Sequence, residues 1–277
     1  MSIVQTSISL VDVVPFINWT YFFHAWQVSG KYEGLTSLCQ CEACRQQWLS
    51  RYTLHERQKA AEALNLYMDA QAQLRHWQEH DTLTIQAKYG FFDAYSKDQL
   101  ILLSHLSAQL TIPTLRQQRP RQDGSCWSLA DFVASENDQV GLFAVAVHGA
   151  SSSTDDTYHS LLQRTLADRL AEATAEYLHR TLLQQNSIRP AFGYPSLPDV
   201  SLLFDVERFF KISEIGIRLT HHAAMQPSSS ICGMYVQHPH VRYFRVGDIS
   251  RQQLSWYATQ RGMTIEQISP FLNLNII

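Results

Sequence analysis

Two long stretches of the chain carry apolar residues at the period of a helix. Residues 55–79 lack glycine and proline, and Ala60, Leu64, Tyr67, Met68 and Leu74 recur every three to four positions, which predicts a helix with one buried stripe. Residues 157–185 repeat the pattern through Leu162, Leu166, Leu170, Ala173, Tyr177 and Leu178. Asp155 and Asp156 stand at its start, where the exposed N–H groups of a helix favour anions. Residues 82–90 alternate and predict a strand, and residues 140–147, rich in β-branched and small apolar side chains, predict a buried one.

The remaining pattern is shorter in range. Residues 97–109 read as helical or irregular and lead toward a polar turn at Asp123-Gly124. Residues 189–198 hold three prolines and a glycine and predict a stiff, shaped loop. Residues 202–210 read as a short helix, and 231–236 and 242–246 as two strands. Two terminal helices follow over 250–262 and 264–272, with Ser250 and Thr264 as caps and Gly262 as a stop. Helices and strands mix without a regular βα repeat, so the expected fold is α+β.

Composition narrows the function classes. Lys and Arg number 22 against 25 Asp and Glu, leaving no basic face for nucleic acid or for an anionic membrane surface. The longest apolar run, residues 142–147, is far short of the roughly 20 needed to span a bilayer. The five cysteines are odd in number, and three crowd into Cys39-Gln-Cys41-Glu-Ala-Cys44, which suits a reducing cytoplasm better than a disulfide frame. That trio could also hold zinc or an iron–sulfur cluster, with His55 or an exogenous group as fourth ligand, or be three free thiols. The aromatic residues of 16–26 are expected to be core, and the paired His221-His222 strand surface. No Rossmann glycine motif, P-loop, zincin motif or nucleophile elbow occurs.

One set of ordered matches is specific. Arg189-Pro190-Ala191-Phe192-Gly193-Tyr194-Pro195 resembles the R-P-A-x-G-Y-P loop of the activation domain of cobalamin-dependent methionine synthase. The preceding run from Ala167 to His179, the Ile17-Asn18-Trp19-Thr20 and Phe22-Phe23 stretch, Leu115-Arg116-Gln117-Gln118, Leu129-Ala130-Asp131-Phe132-Val133, His238-Pro239 and Tyr243-Phe244 are similar in the same order. The likeness spans about residues 11–272 and departs from the family in a short segment between His179 and Arg189.

The resemblance implies a single curved α+β domain over residues 1–277, with a central antiparallel sheet, flanking helices and a shallow ligand groove. It implies binding of S-adenosyl-L-methionine, with Arg189 on the carboxylate, Asp69 and Glu172 facing the ammonium or ribose, Tyr194, Tyr243 and Phe244 on adenine or sulfonium, and Gly193 and the Ala191 backbone shaping the contact. Asp168, Glu172 and Glu176, spaced i, i+4, i+8, share one helix face as a row of anions that suits a cationic ligand, and Asp69, Asp168 and Glu172 are expected to be part of the acid excess, gathered around a cationic donor. The task implied is reductive methylation of cob(II)alamin, with an electron from flavodoxin or a similar reductase. With 277 residues and no homocysteine, folate or cobalamin domain, the chain is expected to be a freestanding module serving a cobalamin-bearing methionine synthase subunit. Service to another corrinoid methyltransferase, or a non-catalytic S-adenosylmethionine or metal sensor, stays open beside that reading.

Overall fold

A computed structural model of the chain describes residues 2–28, 30–39, 41–150, 156–183, 185–272 and 274–276; Asp155, expected at a helix start, lies outside them. Nine strands are present among these residues: β1 Val4–Ile8, β2 Thr84–Lys97, β3 Leu100–His105, β4 Ala108–Pro113, β5 Asp138–His148, β6 Ser187–Ile188, β7 Arg218–Leu219, β8 Met225–Gln226 and β9 Ser230–Gln237. The α-helices are α1 Leu10–Val13, α2 Trp19–Ala25, α3 Glu42–Leu49, α4 Leu54–His80, α5 Thr157–Leu182, α6 Leu202–Phe210, α7 Arg251–Arg261 and α8 Ile265–Ile268. The main sheet runs β4-β3-β2-β5-β9-β6, with β1 also on β2, and all its pairings are antiparallel. Strand β2 is long enough to pair with β1 through residues 85–89 and with β3 through residues 93–97 on the same edge.

The central strands are covered on both faces. All of residues 140–147 on β5 are buried, because successive side chains serve opposite cores. Val140, Leu142, Ala144 and Ala146 join Cys232, Met234 and Val236 of β9 in a core closed by α6 and α7. Phe143, Val145 and Val147 join Ile231 and Tyr235 in a second core closed by α4 and α5. An antiparallel sheet usually alternates because one face is wet; here both faces are dry, which is why β5 reads as a continuous apolar run. Helix α5 lies close to the sheet through small buried residues, Ala167, Ala171, Thr174 and Ala175.

Three expectations fail. Residues 97–109 are neither helical nor irregular but belong to a hairpin, β3 and β4, turned at Leu106 in the left-handed region (φ 54°). The run Leu100-Ile101-Leu102-Leu103 hides its period of two; only Ile101 and Leu103 are buried, against Leu110 and Ile112. Residues 242–246 form no strand. They keep a strand-like alternation, with Val241, Phe244 and Val246 buried, but are tied singly to neighbours, as where the Val246 N–H donates to the Pro195 carbonyl at 2.9 Å. His221 and His222 sit in the turn between β7 and β8 rather than on a strand, their rings 3.9 Å apart.

Other expectations hold with adjusted ends. Helix α6 spans the predicted residues, and Asp156 caps α5 by accepting from the N–H groups of Tyr158 and His159. Ser250 and Thr264 cap α7 and α8, and Gly262 ends α7 in the left-handed conformation (φ 63°).

The loop after β6 leans on β9 at Gly233. The Phe192 N–H donates to the Cys232 carbonyl at 3.0 Å and the Met234 N–H to the Pro190 carbonyl at 2.9 Å. A Cβ on Gly233 would stand 2.4 Å from the Pro190 oxygen and 2.8 Å from the Ala191 Cα. Both obstacles are backbone and cannot rotate away. Gly233→Ala should therefore destabilise the fold by about 1–3 kcal/mol, as overpacking does. Urea denaturation checks it; a change within experimental error would show that the loop is free to move off β9.

Candidate functional site

Helix α5 presents Arg169, Glu172, Ala173, Glu176 and Arg180 on one face. They form one wall of an open groove of about 1010 Å³. Residues 15–21 make the facing wall, and Arg189, Tyr194 and Tyr243 close the end beside the β6 edge of the sheet. Asn18 sets the facing wall by capping α2, its side chain accepting from the Tyr21 N–H. Phe16 packs edge-on against Tyr177 at 5.6 Å, and Trp19 against Tyr67 at 4.7 Å.

Arg189 is the centre of the site. Its side chain is only 15% exposed, and its Nε donates to Glu176 at 3.1 Å and its Nη1 to Glu172 at 3.4 Å. Its backbone N–H donates to the Tyr243 hydroxyl at 2.9 Å. Burial opposes the guanidinium charge, but Glu172, Tyr243 and Glu176 outweigh it and raise the Arg189 pKa. The Tyr194 hydroxyl donates to the other oxygen of Glu172. Burial first, then the Glu172 carboxylate, pushes the Tyr194 phenol far above its ordinary range, so it remains a donor. Gly193 makes this placement possible: it adopts φ 89°, and a Cβ there would stand 2.6 Å from Val200.

The expected acidic row on α5 divides. Asp168 turns away and accepts from the Ser229 hydroxyl at 2.6 Å, lining a neighbouring cavity of about 620 Å³ with Arg164 and Arg169. Glu172 borders both spaces. Arg169 also borders both, and its Nε is buried without a hydrogen-bond partner.

The structure thus brings together Arg189, Glu172, Tyr194 and Tyr243, with Gly193 and the buried Ala191 supporting the loop. It places two expected residues elsewhere. Asp69, on α4, accepts from the Tyr158 hydroxyl at 2.6 Å. Tyr158 precedes Glu172 by fourteen residues, about 21 Å of helix rise. Phe244 is in the core, against Trp127 and Phe132 with ring centroids 6.0 and 6.2 Å away. Glu176 lies in the groove as the acidic row predicts, and the groove residues that sequence reasoning missed are Phe16, Trp19, Arg169 and Arg180. Arg169 and Arg180 were readable as the i−3 and i+8 neighbours of Glu172 on one helix face.

Fold and site define a class: an α+β domain whose antiparallel sheet carries, at one edge, a groove built around a twice-paired arginine. The family model of the vitamin B12 dependent methionine synthase activation domain matches residues 9–186 and 181–262, and the chain belongs to that family. The crystal structure of the MetH reactivation domain bound to AdoHcy is similar over 99% of this chain and 91% of that one, at 26% identity and a TM-score of 0.82.

Two groups beside Arg189 make stability depend on pH in the same direction. Burial lowers the His179 pKa below its ordinary 6.5, the ring lying stacked on Tyr235 with its Nε2 2.8 Å from the Ser187 hydroxyl. Burial opposes ionisation of Glu176 too, but hydrogen bonds from Arg180 and Arg189 override it and hold the carboxyl below its ordinary 4.5. Depressed folded-state values mean that the unfolded chain takes up these protons first. Stability should therefore be full above pH 6.5, fall as His179 is forced to charge below it, and fall again below 4.5 as Glu176 is protonated. Denaturant unfolding across pH checks this: His179→Gln should flatten the first decline and Glu176→Gln the second. A first decline unchanged by His179→Gln would assign it to another group.

Proposed function

We propose that the groove binds S-adenosylmethionine and that the chain supports reductive methylation of cob(II)alamin on a cobalamin-bearing methionine synthase subunit in trans. The observation that carries this reading is the Arg189–Glu172–Glu176 cluster, set between the half-exposed ring of Tyr194 and the exposed ring of Tyr243. The AdoHcy held by the similar reactivation domain has the same amino-acid and adenosyl chemistry. The activation-domain fold accounts for 99% of the chain, so on this reading the corrin comes from outside these residues.

The residues present suit a zwitterionic, sulfonium-bearing ligand. The 3.4 Å contact of Arg189 with Glu172 is the longer of its two, so a ligand carboxylate can take that Nη1 while the ligand ammonium takes the carboxylates. The rings of Tyr194 and Tyr243 offer π faces for the sulfonium, worth roughly 0.5–2 kcal/mol, or a surface for adenine. Gly193 and the Ala191 backbone let the loop approach the ligand closely. When bound, S-adenosylmethionine would supply the methyl group, with its thioether as leaving group, and flavodoxin or a similar reductase would supply the one electron that the partner's cob(II)alamin needs to become methylcobalamin. The chain's own residues bind and orient; the leaving thioether is neutral, so no proton has to be moved and no general base is required. No helix among the described residues is long and apolar enough to cross a membrane. We assign the chain to a reducing cytoplasm, which its odd number of cysteines and the Cys39–Cys44 cluster suit, and treat residues 1–277 as one domain.

Calorimetry with S-adenosylmethionine tests the reading. Wild type should bind, and Arg189→Ala should bind roughly 10–100-fold more weakly, the worth of a lost charged hydrogen bond. No binding by wild type would sink the proposal. Asp69→Asn serves as comparison: a loss as large as that of Arg189→Ala would extend the site to the far end of α5. Binding without rescue of a cob(II)alamin-inactivated methionine synthase lacking its own activation domain would favour the sensing module.

A further inference from the structure

Away from the groove, Cys39, Cys41 and Cys44 bring their three Sγ atoms within 4.8 Å of one another. The residue order dictates the arrangement. Cys41 is the N-cap of α3, its Sγ accepting from the Cys44 N–H at 3.4 Å, so residues 41 and 44 meet across the first helical turn. Cys39, two positions before the cap, reaches the same point. Cys39 and Cys41 are exposed and Cys44 half-buried, so an ion has access.

We propose that these three thiolates bind one thiophilic divalent ion of the zinc class, with the fourth position held by solvent or an exogenous ligand. Among the described residues no fourth His, Cys, Asp or Glu joins the group. A tetrahedral zinc with Zn–S bonds of about 2.3 Å sets its sulfurs about 3.8 Å apart. The observed spacing is within about 1 Å of that, a difference that side-chain rotation closes. An iron–sulfur cubane places each thiolate on its own iron, which requires wider separation than three thiolates on one ion. An all-sulfur set also selects against magnesium and calcium. Three thiolates around a divalent ion leave one negative charge. The N-terminus of α3 and the guanidinium groups of Arg45 and Arg75, which line the cavity beside Cys39, complement it.

The ion would tie this segment to the groove. Tyr67 lines the same cavity, donates its hydroxyl to the Thr36 carbonyl at 3.3 Å, and packs against Trp19 of the groove wall. Metal loading thus fixes the short stretch between the cysteines and that wall. The inference stands independently of what the groove binds.

The full chain, purified under reducing conditions and stripped with a chelator, is titrated with Zn²⁺ and with Co²⁺ without oxygen. One ion per chain should bind, protect three of the five cysteines from a thiol reagent, and give the Co²⁺ form strong sulfur-to-metal absorption. Cys41→Ser should weaken binding by more than the roughly 100-fold that loss of an outer-shell partner costs, while Cys126→Ser leaves it unchanged. Circular dichroism of each variant separates lost ligation from lost folding. The proposal is overturned by absence of binding at micromolar free metal, by unchanged binding in Cys41→Ser, or by several irons with acid-labile sulfide. Thiol protection that survives the chelator and yields to a reductant would mean a disulfide, and overturns it as well.

Discussion

Arg189 carries a charge it cannot shed into a place where little water reaches. A guanidinium so placed requires fixed carboxylates, because an unpaired buried charge costs about 3–5 kcal/mol. Glu172 and Glu176, one helical turn apart, meet that demand from the same face of α5. The pairing locks the loop after β6 against α5, and the space left between that loop, α5 and residues 15–21 is the groove. The groove is therefore a consequence of a charge that has to be neutralised.

That lock works only because two backbones come unusually close elsewhere. Helix α5 settles near the sheet through alanines and a threonine, and the loop settles onto β9 through Gly233. Larger side chains at either place would lift α5 or the loop, and the contacts of Arg189 would lengthen. The buried Asp199 holds the far end of the same loop, accepting from the Tyr257 hydroxyl at 2.8 Å with Arg261 3.1 Å away. Its position is thus fixed at both ends and the loop has little freedom between them.

Much of this was legible in the residues, and the failures have physical causes. The long helices announced themselves by an apolar stripe, and β5 by a run too apolar for a half-wet strand. The β3–β4 hairpin did not, because four consecutive apolar residues erase the alternation that marks a strand, and its turn uses Leu106, exposed and left-handed where glycine or asparagine would have been a signal. Residues 242–246 did show alternation, but no strand among the described residues pairs with them. In the site, Arg189, Glu172, Tyr194 and Tyr243 converge because the loop motif and the helix face are each local. Neighbours in sequence need not share a direction: Tyr243 reaches the groove while Phe244 turns into the core. The aromatic stretch 16–26 misled differently, since Phe22 and Phe23 are buried while Phe16 and Trp19 face the groove. A segment that is half wall and half core has the composition of core.

The groove's electrostatics differ from a simple acidic trap. Asp168 is spent on Ser229 and Asp69 on Tyr158, so the acid excess of the chain does not gather there. Arg169, Arg180 and Arg189 instead stand among Glu172 and Glu176. Such an arrangement offers little attraction to a bare cation. It suits a ligand whose amino-acid end carries both charges, because carboxylate and ammonium can enter an existing ion pair and leave the local charge unchanged. The cost of opening the 3.4 Å contact is then offset by two new pairs. On the proposed reading, a sulfonium extending from that anchor meets the exposed faces of Tyr194 and Tyr243 instead of a closed pocket. A methyl donor that must be reached by a metal held on another protein surface has to stay open on that side. Tight burial would raise affinity at the expense of the approach that the transfer needs.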